Sequence, residues 1–519
     1  MLQRIRFSIA MTVFVLILGT MLSVSGLTMH DPGEKHQHGE VSFPISCNEE
    51  AQKRFETGLT HLHHMMYEQS RPEFIAAAGA DPQCAMAYWG IAMTSFQPLW
   101  YPTTDEGMKR GKEAVQKAKE LGALTEREQK YIAAVDAFFT DPDPPIEGRS
   151  RDHVARLDSW KKAQREVHEE YPKDVDAAAF YGLAEVCYAV SQFSPDQEHD
   201  YRRERKAGAL LEGYFEDHPK HPGLFHYIIH AYDSSELAHK ALKYAREYDQ
   251  LAPTTPHALH MPSHIFVRLG KWEETADWNE RSAEAAWNQL DFDAHASAHY
   301  VHALDYMMYA YLQKGERELA RQTLERIQAV DEVYPAPFAG YNLAAPQARY
   351  YLEQNKWEEA ARLEPGVPAA LPWGNYPEAM ALFSYARGLG AARSGNLDQA
   401  SAERDKINQY VESLFDVEND YWGHMTKALG QAVEAWTLYE KGETEQALTS
   451  MRKAAELEES MDKHPTTPGE ILPVRELYGD LLLSEGRTEE AVHAYVKALE
   501  RTPNRRNAER GIERATALR

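Results

Sequence analysis

The stretch VRELYGDLLLSEGRTEEAVHAYVKALERTP, residues 474–503, decides the fold. Apolar residues recur in it at helical spacing on both sides of Gly486, so it reads as two amphipathic helices joined by a tight turn. Gly486 supplies a residue that adopts the left-handed conformation closing the first helix. Small residues at Gly479 and Ala491 let the two helices approach closely, Tyr495 and Ala498 face the first helix, and Pro503 stops the second. The hairpin is one copy of a repeat. A Gly followed by an Ala five residues later recurs as Gly315/Ala320, Gly395/Ala400, Gly442/Ala447 and Gly486/Ala491. Asn355/Ala360 is a variant, because Asn also tolerates the left-handed conformation. One match is easily accidental; five are not.

A helix hairpin of about 34 residues with this residue pattern resembles the tetratricopeptide (TPR) repeat. The predicted fold is therefore all-α, a TPR-like right-handed superhelical solenoid of antiparallel helix pairs. Alternating Val/Ile/Thr runs, which would mark strands, are scarce.

The same phase extends into the middle of the chain. With Pro253 as the terminating proline, Ala241, Ala245 and Tyr248 take the second-helix positions. His226, His230 and Asp233 then lie on the first helix, on the face that lines the concave groove. The next unit starts at Pro256, with Gly270 at the turn, and puts His257, His260 and His264 on the same face. Pro262 cannot sit deep in a helix, so the first helix of this unit is expected to start at Met261, with His257 and His260 on its approach. Anchoring the following unit on Gly315 and Ala320 adds His302 and Asp305. Residues three or four apart share a helix face. Eight imidazoles and carboxylates from three units are thus predicted on one wall, with the five histidines 226, 230, 257, 260 and 264 in one pocket and Asp233, His302 and Asp305 at its edge.

Neutral imidazole is a ligand for zinc, copper, nickel and iron, and Asp adds a hard oxygen. His226, His230, Asp233, His257, His260, His264, His302 and Asp305 are therefore the candidate metal ligands, for a divalent transition metal such as zinc, copper or iron. The opposing reading is structural, since histidines pack and hydrogen-bond in helical arrays and the chain has 28 Tyr. Arg268 is read as an anion contact or, more simply, a salt bridge between repeats. Trp89, Trp100 and Tyr101 are read as core or as an aromatic wall, and Glu273, Glu274 and Glu280 as a solvated face. No HExxH, GxSxG or P-loop occurs, so no named hydrolase or nucleotide chemistry is supported, and no catalytic residue can be assigned.

Composition sets the remaining bounds. A net charge of -24 over 519 residues, with no basic stripe, argues against nucleic acid as a partner. Arg4 and Arg6 precede an apolar stretch from Phe7 to Leu22 and then the small residues Ser23, Ser25 and Gly26. This is the pattern of a signal peptide over 1–26. No later stretch is long enough to span a membrane, so a periplasmic or secreted protein is expected. Residues 27–48 form a polar leader with His30, His36 and His38, read as a spacer or a metal-gathering tract. Prolines at 142, 144 and 145, and at 365, 368 and 372, divide the rest into arcs over 49–140, 151–360 and 375–519. Each repeat is expected to bury its apolar face against its neighbours. Cys47, Cys84 and Cys187 permit one disulfide, with Cys47 and Cys84 nearest in sequence, and no CxxC pair supports a zinc ribbon.

The segments DPQCAMAYWGIAMT (81–94), HYIIHAYD (226–233) and APTTPHALHMPSHIFVRLGKW (252–272) resemble a bacterial family of exported TPR-domain proteins. The resemblance covers roughly 50–360, and HALHMPSHIF is its specific part. Where that family often has His-Pro-Leu-Trp, this chain has Gln97-Pro98-Leu99-Trp100, so Gln97 takes no ligand role. The family is defined by its repeats and implies no substrate. Two functions stay open on the sequence. One is an exported binding protein whose concave groove takes a peptide or protein partner and carries a metal. The other is a metal-dependent enzyme with its site between the central repeats.

Overall fold

A computed structural model describes residues 38–99, 102–192, 199–290, 293–335, 338–369 and 371–518. The segment 1–26 expected to be a signal peptide, His30, His36, Trp100 and Tyr101 lie outside these residues. All regular structure among the described residues is helical, and consecutive helices pack as hairpins. The repeat turns behave as the sequence predicts. Gly270, Gly315, Gly395, Gly442, Gly486 and Asn355 all have φ between 56° and 82°, the left-handed region that ends the first helix of each pair. In the hairpin Val474–Ser484/Thr488–Arg501, a Cβ on Gly479 would come within 2.6 Å of the Tyr495 ring, so only glycine lets the tyrosine seat there.

The N-terminal arc is fixed by an aromatic core and a crosslink. Trp89 is fully buried among Phe43, Phe55, Phe74, Tyr131 and Phe180, so its role is core packing. Cys47 and Cys84 form a disulfide, and Cys187 is a buried free thiol. The last part of the leader is packed rather than a spacer. Phe43 is fully buried, and His38 Nδ1 lies 2.8 Å from Thr255 Oγ1.

The expectation that each repeat packs only on its neighbours does not hold. Residues 461–506 fold back onto the central arc. Arg268 Nη1 donates to Asp462 at 2.6 Å, Arg349 Nη2 to the Gly469 carbonyl at 3.0 Å, and Trp272 Nε1 to the Asn504 carbonyl at 2.8 Å. Arg505, with no exposed surface, donates to both Glu353 and Glu476 at 2.6 Å. Buried guanidinium groups require such counter-charges, and here they come from 150 or more residues away in sequence or from the adjoining repeat. At the histidines the concave face is therefore covered and not an open groove. Among the described residues no helix is long and apolar enough to cross a membrane.

Candidate metal centre

Three helical segments carry five of the predicted histidines. Pro222 opens the helix Pro222–Ala231, where its missing N–H costs nothing, and His226 and His230 stand one turn apart on it. In the next unit the chain forms two helical pieces, Pro256–His260 and Pro262–Arg268, linked at Met261 in α conformation. Pro256 occupies the first turn and starts the helix five residues before the expected Met261. His257 and His260 are therefore inside a helical turn rather than on its approach. Pro262 interrupts the backbone ladder, and the His260 carbonyl accepts the Ser263 hydroxyl at 2.6 Å. His302 lies on the helix Ala296–Lys314.

The structure sorts these rings into two triads instead of one pocket. In one, ligand nitrogens of His226, His230 and His257 all lie within 4.8 Å of one another; in the other, those of His260, His264 and His302 do. All six residues are buried. His302, expected at the edge, is a full member of the second triad, its ring centroid 4.1 Å from that of His260.

Hydrogen bonds to oxygen fix which nitrogen carries the proton in His226, His260 and His264. His260 Nδ1 lies 2.7 Å from Asn279 Oδ1, and Asn279 is oriented by its own Nδ2 donating to the Thr275 carbonyl at 2.7 Å. His264 Nδ1 lies 2.9 Å from Asp233 Oδ2, and His226 Nδ1 lies 2.7 Å from the His63 carbonyl. Each acceptor is an oxygen, so each Nδ1 is the donor and each Nε2 keeps its lone pair. Yet His260 Nε2 and His264 Nε2 face each other at 2.9 Å. Two lone pairs at that distance repel unless a proton or a metal ion lies between them. A proton would make one ring cationic, and burial opposes that: it is the largest cause lowering the pKa of both rings, and for His260 the neighbouring His302 and His264 lower it further. Burial likewise pushes His226 and His302 down to about 3. The His226 Nε2 lone pair faces His230 Nε2 at 3.1 Å. Metal–nitrogen bonds of about 2.0–2.1 Å in a tetrahedral site place ligand atoms about 3.3 Å apart, a few tenths of an ångström wider than these pairs.

The two predicted carboxylates are not placed among the facing nitrogens. Asp233 accepts from His264 Nδ1, Arg268 Nε at 2.9 Å and Lys463 Nζ at 3.3 Å, so it orients a ring and neutralises two cations. Arg268 accordingly takes the salt-bridge role. Burial lowers the Lys463 pKa to about 8, against the opposing pull of Asp233. Asp305 pairs with Arg349, both fully buried, and burial raises its carboxyl to about 6.

A third buried group was not legible in the repeat phase. His63 Nε2 donates to Asp176 Oδ1 at 2.8 Å, and His221 Nε2 approaches the same oxygen at 3.2 Å. The backbone of His63 positions His226, so this group supports the first triad. His63 lies in the first described helix, Glu49–His63, 163 residues before His226 in sequence although its carbonyl meets that ring. The only signal was the local run His61-Leu62-His63-His64.

Beside the triads lies a cavity of about 800 Å³. Its lining includes His230, Asp233, Lys463, His464, Tyr421 and Trp422. A smaller space of about 20 Å³ is lined by His230 and His257 of one triad and His264 and His302 of the other.

Comparison with known proteins bears on the fold. The tetratricopeptide repeat family model matches residues 473–505, which contain the hairpin Val474–Ser484/Thr488–Arg501. No relative is found among curated proteins. Solved structures of similar layout include the APC/C hetero-tetramer Cut9–Hcn1, at 10% identity over 90% of this chain and 96% of that one, TM-score 0.30. Yeast Tom70 matches at 11% identity over 90% and 95%, TM-score 0.33. A monomeric IFIT1 mutant with m7Gppp-AAAA matches at 12% identity over 93% and 98%, TM-score 0.37. Residues 473–505 are thus a tetratricopeptide repeat within an all-α array of helix hairpins.

Proposed function

We propose that this chain is an exported TPR-type protein whose central arc binds divalent transition metal at its histidine triads and takes a ligand in the adjoining cavity. One observation carries the reading. His260 and His264 point Nε2 lone pairs at each other across 2.9 Å, while Asn279 and Asp233 hold both Nδ1 protons. A metal-ligating histidine characteristically donates its other N–H to a carboxylate or carbonyl, which fixes the ring and raises its basicity. All-imidazole donor sets suit zinc, copper or iron. Export is supported by the Cys47–Cys84 disulfide, since such bonds persist in oxidising compartments.

An enzymatic reading is favoured by the cavity, which brings space for a substrate to the inner face of His230. A peptide partner lying along the concave face is less well supported, because residues 461–470 occupy that face beside His264 and Tyr306. The test is titration of chelator-treated, untagged protein with Zn²⁺ and with Cu²⁺. The chain should bind at least one of them well below about 1 μM, and His260→Ala/His264→Ala should lose the second-triad ion while keeping its helical circular dichroism. Binding to the double variant equal to that of the parent would defeat the assignment.

A further inference from the structure

We propose that the two triads form one binuclear centre, two metal ions joined by a bridging hydroxide, with its open side turned to the large cavity to receive a small oxygen-donor anion. This rests on the metal reading above.

Each triad offers three protein nitrogens. A tetrahedral ion with three protein ligands keeps one position open. The triads are side by side: ring centroids are 5.9 Å apart for His230 and His264, and 6.1 Å for His257 and His260. The space of about 20 Å³ is lined by two rings from each triad. That is room for about one water molecule, which places a single small ligand in reach of both open positions. Charge decides what the ligand is. All six donors are neutral imidazoles, and the nearby Asp233 is already engaged by Arg268 and Lys463. Two divalent ions here have no carboxylate ligand to offset them, so the bridging position selects an anion. A water held between two cations loses a proton readily for the same reason.

Access is built in. His230, Phe338, Pro465 and Thr466 line both the small space and the cavity of about 800 Å³. An anion entering through the cavity meets the bridging position past these four residues, with Lys463 and His464 on the cavity wall. The same path lets the bridging hydroxide exchange.

The experiment is copper loading of the chelator-treated full chain, followed by electron paramagnetic resonance. Two Cu²⁺ per chain are expected, with less integrated signal at two equivalents than at one, because a bridging ligand couples the two spins. Azide, a small anionic probe, should bridge the two ions of the doubly loaded form and give a charge-transfer absorption different from the terminal-azide band of the singly loaded form. His230→Ala and His264→Ala, each disrupting one triad, should each bind one ion with full signal and show the terminal-azide band alone. Two ions with additive signal and the terminal-azide band alone would overturn the bridged centre and leave the metal reading intact. One ion per chain would do the same. No binding at all would remove both.

Discussion

At the scale of single residues, the site depends on groups that do not touch its centre. Asn279 and Asp233 hold the Nδ1 protons of His260 and His264 and so dictate where both lone pairs point. Asn279→Leu removes one such acceptor without adding charge. Metal affinity should fall about 10–100-fold, read by competition with a chromophoric chelator, with helical content retained. Unchanged affinity would mean that Asn279 only packs. Asp233→Asn has a different consequence, because Arg268 and Lys463 lose a buried counter-charge. Breaking one partner of such a group costs about 3–5 kcal/mol, measurable by urea unfolding of the metal-free chain. The histidines were legible because a helix puts residues three and four apart on one face, which is why six of the eight predicted groups come together. The roles of Asp233 and Asp305 were not, since an aspartate that ligates and one that answers an arginine look the same in sequence. Asn279 gives no signal at all: it lies on the second helix of its hairpin, outside the repeat-phased positions of the first.

At the scale of the element, the repeat turns carried the most information, because a left-handed residue at a helix end is a local backbone requirement. Gly270 and Gly442 both occupy it, with φ of 60° and 82°. Their surroundings differ. A Cβ on Gly270 would stand 2.2 Å from the Pro503 carbonyl oxygen, whereas one on Gly442 meets nothing within 4 Å. Gly442→Ala should cost only the conformational strain, about 1 kcal/mol. Gly270→Ala should cost clearly more and free the returning segment, seen as a lower melting temperature and new proteolytic cleavage near residues 500–506. Equal losses in the two variants would contradict the docking of that segment at Gly270. The helix starts at Pro256 rather than at the expected Met261 because Pro256 fills the first-turn position as well as Pro262 does, and a helix can kink at the second proline.

At the scale of the whole molecule, the fold-back of residues 461–506 turns a groove into a buried site beside a cavity. It left no trace in the repeat pattern, because periodicity registers neighbouring hairpins and not ion pairs such as Arg268–Asp462, 194 residues apart. Burial of the histidines, here and in the N-terminal arc, brings a pH dependence. In the unfolded chain histidines titrate near about 6.5. In the folded chain burial holds His226 and His302 near about 3 and His61 and His63 near about 4. Between those values the unfolded state binds more protons, so stability is full above about 6.5 and is lost as pH falls through the window. The urea midpoint of the metal-free chain should therefore drop between pH 7.5 and pH 5. A midpoint that stays level would show the rings to be solvated. Metal should sharpen the loss, because ligand imidazoles must be neutral to bind it.

Anomalous diffraction shows whether a metal ion bridges the facing imidazole nitrogens. Crystals of the untagged chain, grown without chelator and supplied with zinc or copper, would be measured on both sides of that metal's absorption edge. An anomalous peak is expected between His260 Nε2 and His264 Nε2, about 2.0–2.1 Å from each, with Asn279 and Asp233 still on the Nδ1 atoms. Density showing the two rings joined by a plain N–H···N hydrogen bond, one Nδ1 released from its oxygen and no anomalous signal, would contradict it.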